Sequence, residues 1–196
     1  MAYATADQVK TALRLPITDD AQDDQIDRAC ASASMAVDKH CRRTFTLSAS
    51  QTRQYVPVGK SLVIIDDIAE GPVVVETRLT VLDAWTVVDA DTYQLEPLDN
   101  LSSGVYWPYT RIRAIAGTTF PVADDGSALV RVTATFGWST VPADVVEATI
   151  LQAVRIVKRP DAPFGVTFGE LGAVSVQRGL DPDVVTMLSD YVRMGA

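Results

Sequence analysis

The sequence has few of the residue types that build metal sites and covalent frameworks. Its 196 residues include two cysteines and one histidine, too few for a disulfide scaffold or a structural zinc site. Cys30 and Cys41 lie in one predicted helix, roughly 16 Å apart at the helical rise. A disulfide needs Cα atoms within about 7 Å. We therefore expect both thiols to be reduced and part of the core.

Membrane segments and a strongly basic surface are also missing. No apolar run approaches the ~20 residues that cross a bilayer, and "MAYATADQVK" at the N-terminus lacks the pattern of a signal peptide. These features predict a cytoplasmic protein without a membrane partner. The formal net charge of −8 argues against a protein that grips a nucleic-acid backbone through counterion release.

Helical periodicity dominates the first fifty residues. Thr5 and Gln8 have the spacing of a capping box and open a short helix with an apolar face of Val9, Ala12 and Leu13. A longer helix follows an acidic entry that suits the positive end of the helix dipole. Its apolar stripe, at helical spacing, comprises Ile26, Cys30, Ala33, Val37 and Cys41.

Two further helices are predicted near the C-terminus. Apolar residues nearly surround "VPADVVEATILQAVRIVKR", with Pro142 in its first turn, which predicts the buried centre of the helical part. A Pro/Gly loop, "PDAPFGVTFGELG", follows it. The last helix begins with Asp181 as cap and Pro182 at the first helical position.

The segment between these helices favours strands. Runs rich in Val, Ile, Thr, Tyr and Trp alternate with turn residues, and strands are predicted near "TRQYVPV", "SLVIID", "VVVETRL", "TYQLEP", "TRIRAIA" and "ALVRVTATFG". The predicted fold is α+β: a bundle of about four helices with an inserted antiparallel block that forms a small sheet or barrel. The expected division is 1–50 for the N-terminal helices, 51–139 for the β block and 140–196 for the remaining helices.

The stretch "VDKHCRRTF" concentrates the residues that a search for catalysis would select. His40 and Cys41 are adjacent on a helix, about 100° apart around its axis, so they do not converge on an ion or form a nucleophile–base pair. Gly59–Lys60–Ser61 looks like the end of a P-loop, but position 54 is Gln and a strand follows at once. We predict no catalytic residue, no metal site and no cofactor.

Other acidic and aromatic segments favour interaction over catalysis. The acidic residues at 19–27 lack the central glycine of a calcium loop. No carboxylate pair is marked out for hydrolysis, although sequence alone leaves such a pair open. The loops "GVYWPYT" and "APFGVTFGELG" are predicted to be exposed and aromatic, as interaction surfaces often are.

Three stretches together resemble the head-to-tail adaptor, or connector, proteins of long-tailed double-stranded DNA bacteriophages. They are the N-terminal helix pair closing on Arg43–Thr44–Phe45, the junction "TATFGWSTVPADVVEATILQAVRIVKRPDAPFGV", and the tail "FGELGAVSVQRGLDPDVVTMLSDYVR". They cover about half of the chain, and the β block is only generically similar.

The resemblance implies a non-enzymatic virion protein at the head–tail junction, assembled in the host cytoplasm. Such adaptors form rings, usually of about twelve copies, under the portal protein. The implied partners are other copies of the chain, the portal, and the stopper or next tail component. Double-stranded DNA would pass through without specific binding, which suits an acidic channel.

The expected interface residues lie mainly in the 160–180 loop and the last helix: Phe164, Phe168, Tyr191, Arg193 and Met194, with Arg43 at the end of the second helix. Phe164 and Tyr191 could equally complete the core. The alternative functions are a stopper or tail-completion protein of the neck, a DNA-packaging accessory factor such as a nuclease, and a free host-interacting module. Stoppers are β-dominated, so the predicted helices favour the adaptor.

Overall fold

The computed structural model describes residues 2–18, 20–69, 71, 73–102, 104–159, 166–169, 172–175 and 179–193, with the backbone alone at 166–169 and 172–175. The chain divides into two compact units. The helical unit comprises Met1–Thr44 and Val141–Gly195, and the β unit is Phe45–Thr140. The predicted α+β class is confirmed: the described residues contain four α-helices and antiparallel sheets, and no closed barrel.

Local signals define the helices of the helical unit. They are α1 (Ala6–Leu13), α2 (Asp23–Cys41), α3 (Ala143–Lys158) and α4 (Pro182–Met187), followed by the 3-10 turn Ser189–Tyr191. The capping box forms, because Thr5 and Gln8 each bond the other's backbone N–H. Asp181 caps α4 by accepting from the backbone N–H of Asp183. Pro142 is the N-cap of α3 and lies just outside its first turn. No described helix combines the length and the apolar content needed to span a membrane.

The core of the helical unit uses the predicted stripe of α2. All five stripe residues are buried, and α1 and α3 contribute Val9, Ile150 and Ala153. Cys30 and Cys41 are free thiols in this core. Only one side of α3 is fully buried: Val145 and Ile150 face inward, whereas Leu151 is exposed. α3 nevertheless packs against α1, α2 and α4, as expected of the central helix of this unit, although its apolar residues are not all buried.

The buried face of α1 differs from the predicted face of Val9, Ala12 and Leu13, since it includes a lysine. Ala12 is exposed, whereas Val9 and Lys10 are buried. The Lys10 ammonium donates to the carbonyl of Ile17 at 3.1 Å and lies 2.5 Å from Oδ1 of Asp23. The bond to Asp23, with the nearby charges of Asp20 and Asp7, raises the pKa of Lys10 despite its burial. An ion pair between α1 and the start of α2 thus makes lysine burial tolerable.

The β unit contains nine strands among its described residues. In chain order they are β1 (Ser50–Tyr55), β2 (Leu62–Ile68), β3 (Val74–Thr77), β4 (Thr86–Val87), β5 (Tyr93–Glu96), β6 (Leu101–Ser102), β7 (Val105–Tyr106), β8 (Tyr109–Ala114) and β9 (Val130–Thr135). One sheet has the order β1-β9-β3-β4, a second has β2-β8-β5, and β6 pairs with β7. All the pairs are antiparallel.

The core of the β unit joins its two larger sheets. The alternating residues of β9 place Val130, Val132 and Ala134 inward, where they share one apolar cluster with residues of the second sheet. That cluster also includes Val63, Ile65, Ile68, Val75, Ile112, Phe120 and Phe136. This alternation is the period-2 pattern of a strand with one packed face.

Several short strands were not predicted. β4, β6 and β7 have two residues each, which is too short for any alternation to be visible. The segment predicted as a Pro/Gly loop contains β10 (Val166–Gly169), which pairs antiparallel with β11 (Gly172–Ser175). Short strands form because a partner strand accepts their backbone hydrogen bonds, and that partner is not visible in local composition.

Gly137 and Trp138, the Gly-Trp pair of the sequence resemblance, close the β unit. Gly137 has φ of +109°, and a Cβ built there would lie 2.0 Å from the carbonyl oxygen of Thr46. Trp138 is buried, with ring centroids 5.3 Å from Phe45 and 5.1 Å from Trp107. Only glycine fits this close approach of two backbone segments.

Candidate assembly surfaces

The end of α2 contains the histidine, one cysteine and two arginines. Arg42 adopts the left-handed backbone conformation, and the carbonyl of Asp38 accepts from the backbone N–H groups of Arg42 and Arg43. His40 is half-buried and Cys41 fully buried. Burial raises the pKa of the Cys41 thiol to about 11, so it is protonated at neutral pH and a poor nucleophile.

The C-terminal segment packs where α2 ends and α3 begins. Tyr191 is only 5% exposed, and its hydroxyl donates to Oδ2 of Asp144, at the start of α3, over 3.3 Å. Burial and the neighbouring carboxylate raise the pKa of this phenol to about 12. Tyr191 is therefore a core residue of the single chain, and its assignment to an interface remains a prediction.

Three of the six predicted interface residues come together where α2 ends and α3 begins. The backbone N–H of Arg193 donates to the carbonyl of Cys41 at 2.9 Å, two residues from Arg43 and two from Tyr191. Arg43 and Arg193 are half-buried, so both retain surface that a neighbouring molecule could contact. Phe164 and Met194 lie outside the described residues, and Phe168 lies in β10, described by its backbone alone.

The start of α4 is held on α3 by polar contacts. Arg155 Nη1 lies 3.3 Å from Oδ2 of Asp181, and the backbone N–H of Asp181 donates to Oε1 of Gln152 at 3.2 Å. Val184 in α4 and Leu188 at its C-terminal end are fully buried. The last helix is thus packed into the helical unit of the single chain.

The segment Gly59–Lys60–Ser61, which looks like the end of a P-loop in sequence, does not form a phosphate-binding loop. Lys60 and Ser61 form a turn that leads directly into β2, and the Lys60 carbonyl accepts from the backbone N–H of Phe120 at 2.7 Å. No helix N-terminus follows to hold a phosphate. Within the described part of the chain, no three His, Cys, Asp or Glu side chains gather in a way that could hold a metal ion.

The β unit presents two further surfaces, one apolar and one of mixed character, that the sequence did not single out. The first, called here the apolar loop, is the 78–85 connection between β3 and β4, with Leu79 80% and Leu82 93% exposed. The second, called here the groove, is lined by Glu96, Pro97, Leu98, Thr110 and Arg111 and has a volume of about 500 Å³. Part of the first was predicted as strand, because "VVVETRL" continues the β pattern to Leu79.

The predicted aromatic loop "GVYWPYT" is exposed only in part. Tyr106 is 55% exposed, and it is paired across the β6–β7 hairpin with Leu101, which is also exposed. Trp107 instead packs on Trp138. Aromatic content alone did not distinguish the ring that anchors the loop from the ring that faces solvent.

Comparisons with known proteins give a fold match without a sequence family. No protein-family model matches the chain, and no curated protein matches it. Among solved structures, a chain in the "neck of empty GTA particle computed with C6 symmetry" matches over 97% of this chain and 90% of its own, with a TM-score of 0.58 and 15% identity. A chain in the "neck of native GTA particle computed with C12 symmetry" matches over 97% and 91%, with a TM-score of 0.51 and 16% identity. At these identities the likeness establishes a shared fold; GTA denotes a gene transfer agent.

Proposed function

We propose that this protein is a non-enzymatic structural component of the neck of a tailed phage or phage-like particle. More specifically, it is a head-to-tail adaptor that forms a ring of about twelve copies under the portal. The observation that carries the proposal is the fold match to neck chains over 97% of the sequence, which includes both the helical and the β unit.

The symmetry of those neck structures supports a ring. They were computed with C6 and C12 symmetry, and a closed ring of identical chains is the simplest assembly with such symmetry. Arg43 and Arg193 are half-buried at one end of α2, so part of each side chain lies at the surface of the single chain, within reach of a neighbouring copy. The portal and the stopper, or next tail component, are the proposed axial partners.

The charge of the chain is consistent with this role. A formal net charge of −8 repels the phosphate backbone, so DNA crossing a ring of such chains would slide without a tight grip. A nuclease or packaging enzyme would need a carboxylate cluster with a metal ion, and none was identified among the residues described.

The test is to locate the protein in purified particles. Quantitative mass spectrometry should detect it at a fixed stoichiometry, and a gold label on an affinity-tagged copy should mark the head–tail junction. Deletion of its gene should leave DNA-filled heads and free tails, restored by the wild-type gene. Absence from purified particles would overturn the proposal, and a label restricted to the tail below the junction would favour a tail-completion protein.

A further inference from the structure

The apolar loop holds leucine side chains in solvent on a fixed backbone. Arg78 Nη1 donates to the carbonyl of Val81 at 2.9 Å, and its Nη2 donates to the carbonyl of Ala128 at 3.0 Å. The Arg78 guanidinium carbon also lies 4.3 Å from the ring centroid of Trp85. These contacts order the loop without covering Leu79 or Leu82.

A second set of bonds closes the tip of the loop. The backbone N–H and the hydroxyl of Thr80 donate to Oδ2 of Asp83 at 2.8 and 2.9 Å, and the backbone N–H of Asp83 donates to the Thr80 carbonyl at 3.1 Å. Because the loop is already ordered, a partner would meet little further entropy cost on binding it. Exposed apolar side chains on an ordered loop are typical of an interaction site.

The groove has the size to receive such a loop, and Pro97 and Leu98 give it one apolar wall. A cavity of ~150 Å³ accepts a benzene ring, so a groove of about 500 Å³ has room for two leucine side chains. Leu98, on its wall, is 72% exposed and would gain from being covered.

The charges beside the two surfaces are opposite. Asp83 is exposed next to Leu82 in the apolar loop, and Arg111 is exposed next to Leu98 in the groove. The acid of the groove, Glu96, is bonded by Arg113 through Nε at 2.5 Å and Nη2 at 3.1 Å. Arg111 is its cross-strand partner and also contributes to lowering the pKa of Glu96. Two arginines thus flank a single carboxylate, which leaves this part of the surface with a net positive charge, and Asp83 of the apolar loop supplies a negative one.

We propose that the apolar loop of one copy binds in the groove of a second copy of the same chain. Each chain carries one loop and one groove, so the contact joins different patches of the two partners and repeats from copy to copy. A heterologous contact of this kind closes into a ring when its rotation permits. The proposal rests on the ring assigned under the proposed function and supplies residues for its lateral contact.

Cross-linking of two single-cysteine variants tests this contact. A tagged Leu82→Cys chain is mixed with an untagged Leu98→Cys chain and treated with a short bismaleimide over a series of protein concentrations. The native cysteines are buried, and their reactivity is measured on the wild-type chain. A heterodimer of tagged and untagged chains is expected, with neither variant alone giving a comparable homodimer.

Met35→Cys is the matched control, because Met35 is 66% exposed on α2 and belongs to neither surface. The 82–98 pair should yield roughly ten-fold more heterodimer than the 82–35 pair, as a specific contact raises the local thiol concentration. Equal yields from the two pairs, a dominant 82–82 homodimer, or no 82–98 product at any concentration would each overturn the proposal.

The result also separates this contact from the neck assignment. An 82–98 product from a protein that is absent from particles would support the contact and overturn the neck function. If the protein is located in the neck but its variants give no 82–98 product, the neck function stands and the contact between the apolar loop and the groove is rejected.

Discussion

The indole N–H of Trp138 donates to Oδ2 of Asp67 at 3.1 Å, and both side chains are buried in the β unit. The same residue of β2 receives a second bond through its backbone, because the N–H of Gly137 donates to the Asp67 carbonyl at 2.8 Å. Asp67 thus links β2 to the segment that follows β9 through both its side chain and its main chain.

Trp138→Phe should destabilise the β unit by about 2 kcal/mol or more, because it removes buried volume and a donor to a buried carboxylate. Asp67→Asn retains an acceptor oxygen of the same size and should cost less than Trp138→Phe. Urea denaturation followed by circular dichroism measures both changes. Equal losses for the two variants would contradict a bond that depends on the indole donor.

Gly137→Ala should be among the most damaging single changes in the chain. A Cβ at this position would lie 2.0 Å from the Thr46 carbonyl oxygen, and φ is already +109°. We expect a loss of about 3 kcal/mol or more in the free energy of unfolding, or insoluble protein. Gly59→Ala is the control, since a Cβ there meets nothing within 4 Å; a stable Gly137→Ala protein would show that the two segments separate easily.

Acidification should weaken the β unit through two carboxylates. Bonds from Arg131 to Glu76 and from Arg113 to Glu96 hold the pKa of each acid below its ordinary 4.5. Their stabilisation is present above pH 4.5 and is lost as the pH falls through the lowered values. Denaturation at a series of pH values should show a shallower acid dependence for Glu76→Gln than for wild type.

The exposed Glu147 supplies the control for that experiment. Glu147→Gln removes the same charge from α3 without removing an arginine pair, so its acid dependence should follow that of the wild type. An identical slope for Glu76→Gln and wild type would contradict the contribution assigned to the Glu76–Arg131 pair.

Tyr191→Phe distinguishes a core role from an interface role. The hydroxyl bond to Asp144 should contribute about 1 kcal/mol, and loss of this tyrosine should remove a spectroscopic titration near pH 12. Since the folded pKa is raised, the associated stability is present below the ordinary value of 10 and is lost as pH rises through about 12. Unchanged stability combined with failed particle assembly would instead indicate an interface residue.

Arg43→Ala tests the lateral contact proposed for the end of α2. If Arg43 pairs with a neighbouring chain, the variant should give particles with unjoined heads and tails, counted by electron microscopy. Arg42→Ala, an exposed neighbour at the helix end, is the matched control and should complement a gene deletion. Full complementation by Arg43→Ala would show that assembly does not need Arg43, and would leave it as a residue of the helix end alone.

The sequence by itself determined the features that depend on neighbours within a few residues. Helical spacing identified the stripe from Ile26 to Cys41, capping chemistry identified the starts of α1 and α4, and alternation identified the inner face of β9. Such patterns can be recognised in the sequence because the residues that determine them lie within one helical turn, or two strand positions, of each other.

Only the tertiary structure decided which polar and apolar side chains depart from their local pattern. Lys10 is buried because Asp23 approaches it from another helix, and Leu82 is exposed because its loop is ordered by Arg78 and Asp83 instead of by burial. The two-residue strands, likewise, exist through their partners. Burial and backbone pairing depend on residues distant in sequence, so a local pattern contains no signal for them.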